Sequence, residues 1–116
     1  MFNERFNKRN LFTFDGSSLP YAKLAELVTN GTIAEGEVIT VRGMFTHSKS
    51  KFGKTGVIVT DNYNIDAPDH LISMIEEVIS DASLIEGVNN GNCGFAVRSY
   101  QDNKGITRYS GSFVDI

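Results

Sequence analysis

EVITVRGMFTHSKSKFGKTGVIVT, residues Glu37–Thr60, decides how the rest of the chain is read. It holds two runs rich in Val, Ile, Thr and Phe, Val38–Thr46 and Gly56–Thr60. Those residue types fit a pleated, half-buried surface. The linker between them, HSKSKFGKT, is too short and too polar for a crossover helix. The two runs are therefore expected to pair antiparallel as a hairpin. From Arg42 to Lys54 there are four formal positives (Arg42, Lys49, Lys51 and Lys54), together with His47 and no acid. Phe52 stands among the lysines, where an exposed ring has little structural reason to be.

The first strand should run from Glu37 to about His47, long for a globular strand. Ile39, Val41, Gly43 and Phe45 fall on one face, with Arg42, Met44 and Thr46 on the other. A glycine in mid-strand costs stability unless curvature is wanted. A strand kinked at Gly43 could pair in both halves of a small closed barrel.

Downstream, Asp61-Asn62 reads as a turn and Tyr63–Asp66 as a short third strand. Pro68-Asp69 then opens a helix, with Leu71, Ile75, Val78, Ile79, Ala82 and Ile85 at helical spacing. Gly87 and Asn89-Asn90-Gly91 are its stop signals. Phe95–Tyr100 alternates, with Phe95 and Val97 on one face and Arg98 and Tyr100 on the other. Asp102–Gly105 is a hairpin turn, and Ile106–Ile116 is the last strand, where Tyr109 and Phe113 share a core face. Upstream, Ser17-Ser18-Leu19-Pro20 reads as a helix start, with Tyr21 and Leu24 as core contacts and Asn30-Gly31 as the stop. Residues 1–16 form an arm with Phe2, Phe6, Leu11, Phe12 and Phe14, and residues 10–14 are a candidate edge strand. The arm packs either on its own domain or on a second copy.

The 116 residues fit one domain, divided into an arm (1–16), a short helix (17–31) and a barrel (37–116). No apolar run has the ~20 residues of a membrane helix, so no membrane association is expected. MFNERFNKRN lacks the apolar core of a secretory signal. With a single cysteine, Cys93, the natural reading is a reducing, cytoplasmic setting. The net charge of −3 is unevenly placed. Residues 61–86 hold seven acids and no Lys or Arg, which leaves seven acids against eleven bases elsewhere.

The order strand, strand, strand, helix, strand, strand is that of the OB-fold, a five-stranded Greek-key barrel of all-β to α+β class. Such barrels bind on strands two and three and on the loops joining strands one-two and four-five. Here the first loop carries Lys49, Lys51, Phe52 and Lys54. The second carries Lys104, with Arg98, Tyr100 and Arg108 beside it, and Tyr63 belongs to strand three. Cations spaced along a groove, with rings on which bases stack, are what single-stranded nucleic acid requires. Arg42, Arg98 and Arg108 can pair with phosphate or lie flat on a base. The plainer alternatives are solvated loop lysines, and Tyr63 and Tyr100 as core rings with wetted hydroxyls.

Enzymatic activity is not expected. His47 and His70 lack metal-type partner spacing, and Cys93 lacks a nearby base. Gly53-Lys54-Thr55 has the ending of a phosphate loop without its upstream glycine or following helix. No cofactor or metal is called for.

VRGMFTHSKSKFGKTGVIVTDNYNIDAPDHL (residues 41–71) and GFAVRSYQDNKGITRYSGSFVDI (residues 94–116) resemble the small single-stranded DNA-binding proteins of lactococcal bacteriophages. The resemblance is one of overall character over nearly the full length. It implies an OB-fold protein that coats single-stranded DNA in phage DNA replication or recombination. It also implies a homo-oligomer working beside a recombinase. Many single-stranded DNA-binding proteins carry an acidic C-terminal tail for partners, whereas SFVDI here reads as strand. The rival expectation is a protein–protein interaction module that uses the N-terminal arm and the acidic helix and binds no nucleic acid.

Overall fold

Alternating apolar residues make strands here, and two consecutive strands carry the chain from one sheet into the other. The computed structural model describes residues 12–48 and 53–116, with the backbone alone at Ser48 and Lys54. Its strands are β1 (Tyr21–Lys23), β2 (Val38–Thr40), β3 (Gly43–Ser48), β4 (Lys54–Val59), β5 (Asn64–Ala67), β6 (Cys93–Gln101) and β7 (Thr107–Asp115). The helices are α1 (Leu24–Thr29), α2 (Ile72–Ile79) and α3 (Ala82–Asn89), with a 3-10 turn at Asp69–Leu71. The result is an α+β molecule with sheets ordered β1-β5-β4-β3 and β2-β6-β7.

The expected hairpin is present, and β3 and β4 pair antiparallel from Gly43↔Val59 to Ser48↔Lys54. The residues leading into it also connect the two sheets. Val41 donates its N–H to the Cys93 carbonyl (2.9 Å), and Arg42 donates to the Val59 carbonyl (2.7 Å). The chain thus changes sheet between Val41 and Arg42, just before the glycine marked for the bend. That corner resets the pleat. Val41 and Met44 both enter the main core, while Phe45 faces the opposite side. Gly43 answers a packing need: a Cβ there would lie 3.3 Å from Cβ and Cγ of Phe12.

The expected barrel does not close. The outer edge of β5 pairs in parallel with β1, Tyr21↔Asn64 through Lys23↔Asp66, and not with the last strand. Residues 20–23 are therefore extended, and the helix expected from Ser17 shrinks to Leu24–Thr29. Pro20 accepts the Asn64 N–H (2.9 Å) and so extends the β1–β5 ladder. Tyr21, expected in the core, is exposed, whereas Leu24 and Leu27 are buried as helical spacing requires.

The inner face of the larger sheet is a row of Met44, Ile58 and Ile65 in cross-strand register. They meet Leu71, Ile75, Val88, Phe95 and Val97 in one core. On the outer face Phe45, Val57 and Val59 are covered by Phe14 and Leu19. Residues 12–19 thus strap that face, fixed by Asn64 Nδ2 donating to the carbonyls of Gly16 (2.8 Å) and Leu19 (3.1 Å). Residues 12–14 are bends and not the end of a strand, Phe12 is buried, and Thr13 donates to Asn89 Oδ1 (2.9 Å). The described part of the arm therefore packs on its own chain. Phe2, Phe6 and Leu11 lie outside the described residues.

The long helix expected after Pro68 is two helices. Asp81 is extended (φ −120°, ψ 112°), and its carboxylate accepts from the Ser83 and Leu84 N–H groups. An N-cap at Asp81 starts a new helix more favourably than the old one continues. Gly87 is accordingly helical, and the stop is Gly91 at φ +79°. The Ser83 hydroxyl first, then the Leu84 and Ser83 amides, hold the Asp81 carboxyl below its usual value. A depressed folded pKa means that this support is present above the ordinary carboxylate range and is lost as pH falls through the lowered value. Asp81→Ala should lower the thermal midpoint at neutral pH, with Asp81→Ser recovering most of it. The gap between Ala and wild type should close in acid.

Candidate nucleic-acid interface

The β6–β7 hairpin brings the sequence-marked cations and rings of the second loop together. Period-two alternation buries Phe95 and Val97 completely and turns Arg98 and Tyr100 outward. Register places Arg98 opposite Ser110 and Tyr100 opposite Arg108, so the four share one face. The turn below them is built by Asp102. Its Oδ1 accepts from the Lys104 N–H (2.8 Å) and the Ile106 N–H (3.0 Å), and its Oδ2 from Arg108 Nε (3.1 Å). The Ile106 amide first, then the Lys104 amide, hold the Asp102 carboxyl below its usual value, and Arg108 adds to this. Gly105 closes the turn at φ +77°.

His70 reaches this face from the 3-10 turn. Its Nε2 is 2.7 Å from the Ser110 hydroxyl, and its ring stands edge-on to Tyr100 at 6.3 Å between centroids. Neither His70 nor Ser110 was marked from sequence. No local pattern announces them, because their contact joins residues 40 apart. Tyr100 keeps 46% of its surface exposed, and Arg98 forms no ion pair with another described residue.

Arg42 and Tyr63 lie elsewhere, at the Val59 end of the larger sheet. Arg42 Nε donates to Asp61 Oδ1 at 2.7 Å, which engages the charge. Tyr63 is half-buried against the main core and lines a small depression with Ile33, Val38, Ile39 and Asp61. These two residues do not join the hairpin cluster. Lys49, Lys51 and Phe52 lie outside the described residues. Lys54 is placed by its backbone at the mouth of the first loop, opposite Ser48.

That loop and the hairpin cluster are linked through the sheet. Gly56 pairs with Thr46 on one side and with Ala67 on the other, at the loop end. Three residues beyond Ala67, His70 touches Tyr100 and Ser110. By contrast, the second hairpin strand, β4, one of the two strands expected to form the binding face, has its outer face occupied at Val57 and Val59 by the strap. Packing of the arm on its own domain was one of the two alternatives. The face it covers was not foreseen, because residues 10–14 read as an edge strand and residues 17–20 as a helix start.

The carboxylates are less segregated from the cations than the sequence suggested, since Arg42 and Arg108 each hold an acid. Asp102→Asn keeps the Oδ1 acceptor that builds the turn and removes the charge that holds Arg108. On the nucleic-acid reading it should raise oligonucleotide affinity a few-fold at low salt, with a small fall in the thermal midpoint at neutral pH because the ionised carboxylate supports the turn. An unchanged or lower affinity would exclude Arg108 from the contact surface.

Burial first, and then Asp115, push the Cys93 thiol up to about 11, which removes the thiolate at neutral pH. Among the described residues no group of three or more His, Cys, Asp or Glu is placed to hold a metal ion. No described helix is long and apolar enough to cross a membrane. No family model, curated protein or solved structure matches this chain.

Proposed function

We propose that this chain is a non-catalytic, sequence-tolerant binder of single-stranded DNA. The observation that carries the reading is the outward face of the β6–β7 hairpin. Exposed Tyr100 stands there opposite Arg108 and two residues along its own strand from Arg98, with Lys104 in the turn. A ring flanked by guanidinium groups offers a base a stacking surface and its phosphates a counter-charge. Lys49, Lys51, Phe52 and Lys54 extend the same chemistry along the first loop. We read the two sheets as an OB-type barrel opened at one seam, because the chain passes directly from one sheet to the other at Val41–Arg42 and α2 and α3 fall between β5 and β6.

Titration of a labelled thymidine oligonucleotide at low and high salt tests the reading, with duplex of the same length as control and light scattering for mass. Tight single-strand binding that weakens steeply with salt is expected. Binding of duplex alone, or of neither, would refute it. Self-association and a recombinase partner accompany the proposal, and the scattering mass measures the first.

A protein-interaction module without nucleic-acid binding is the second reading. It draws on Met74 and Leu84, apolar and exposed on α2 and α3, in a groove with Glu77 and Phe113. Indifference to oligonucleotide, with capture of one protein partner, would favour it.

A further inference from the structure

We infer that His70 is a positioning residue for a one-nucleotide subsite in which a base stacks on Tyr100 and its phosphate meets Arg98. The inference rests on the nucleic-acid reading and adds to it a residue and a defined contact. Tyr100 and Arg98 are two residues apart on one strand face, about 7 Å along the strand. A base and its own phosphate can span that interval. An exposed tyrosine on a two-stranded ribbon has several rotamers open to it, and holding one costs side-chain entropy. The edge-on His70 ring supplies a wall that limits them. His70 is itself fixed by the Ser110 hydroxyl at 2.7 Å. Ser110 is buried and directly opposite Arg98 in the ladder. The chain Ser110–His70–Tyr100 thus presets a stacking surface before ligand arrives, which lowers the ordering cost of binding. His70, Arg98, Tyr100 and Ser110 line one shallow depression, as such a subsite requires.

The test uses the full chain and a thymidine oligonucleotide carrying 5-iodouracil, irradiated when bound and mapped by mass spectrometry. The wild type should crosslink at Tyr100. His70→Ala should cut the Tyr100 adduct per bound oligonucleotide by about fivefold or more, as expected where one stacked base is lost. The salt slope should stay the same, because no cation has gone. His70→Phe keeps a ring edge without the Ser110 bond and should recover the adduct to the level of Ser110→Ala, which a merely structural tie to Ser110 would not. Ser110→Ala removes only the hydroxyl and should lower the adduct in the same direction, so the inference remains testable if His70→Ala fails to fold. Oligonucleotide bound with its adducts elsewhere, or a Tyr100 adduct indifferent to His70→Ala, overturns this inference and leaves the proposed function standing. Absence of oligonucleotide binding takes down both.

Discussion

Gly111→Ala should destabilise the fold by about 3 kcal/mol, near the upper end for a single added methyl group. A Cβ at Gly111 would lie 2.4 Å from the Ala96 carbonyl oxygen and 2.5 Å from Cζ of Phe95. The carbonyl is fixed by the β6–β7 ladder and cannot swing aside as a side-chain tip could. Phe95 is completely buried and packs on Phe113, with ring centroids 5.5 Å apart. Moving it would open the core that the two sheets share. Gly87 provides the contrast. It sits inside α3, and a methyl group added there would meet nothing within 4 Å. Gly87→Ala should therefore stabilise by about 0.5–1 kcal/mol through helix propensity alone. Denaturant unfolding of both variants reads the difference. Equal midpoints would mean that the Phe95–Gly111 contact is not what holds β6 and β7 together.

Replacing Arg98, Lys104 and Arg108 together by alanine should cut oligonucleotide affinity at low salt on the order of tenfold or more. The slope of log affinity against log salt should fall by about one for each phosphate contact removed. Arg108 is half-engaged by Asp102, so its share should be smaller than that of Arg98. A matching loss is expected from Lys49→Ala, Lys51→Ala and Lys54→Ala in the first loop. Phe52→Ala and Tyr100→Ala should lower affinity with the slope unchanged, because a stacked ring releases no counterion. Tyr63 was grouped with them from sequence, but its half-burial beside Ile33 and Ile39 makes Tyr63→Ala a stability variant as much as a binding one. Affinity that ignores the hairpin cations while responding to the lysines would confine binding to the first loop.

Much of this molecule was legible where the signal is local. The alternation of Val38–Thr46 and Gly56–Thr60 located the hairpin, and the corner fell within two residues of the glycine that suggested it. Asp102–Gly105 announced its turn, and the alternation of residues 95–100 correctly turned Arg98 and Tyr100 outward. The N-cap at Asp81 was also written in the sequence. The hydrophobic period running through it concealed the break, since Ala82 and Ile85 keep the phase of Ile75 and Val78.

By itself, then, the sequence determined the two hairpins, the faces of residues 95–100 and the Asp102–Gly105 turn, because pleat alternation and turn chemistry act over a few residues. It did not give the strand at Tyr21–Lys23 or the separation of Val41 from Phe45 at the corner. Only the tertiary structure decided that the barrel stays open, that residues 12–19 cover the outer face of the hairpin, and that His70 stands against Tyr100. The physical reason is separation along the chain. Asn64 reaches carbonyls 48 and 45 residues away, and His70 a hydroxyl 40 residues away. Such pairings are chosen by which surfaces can be buried together, and no local period records that choice.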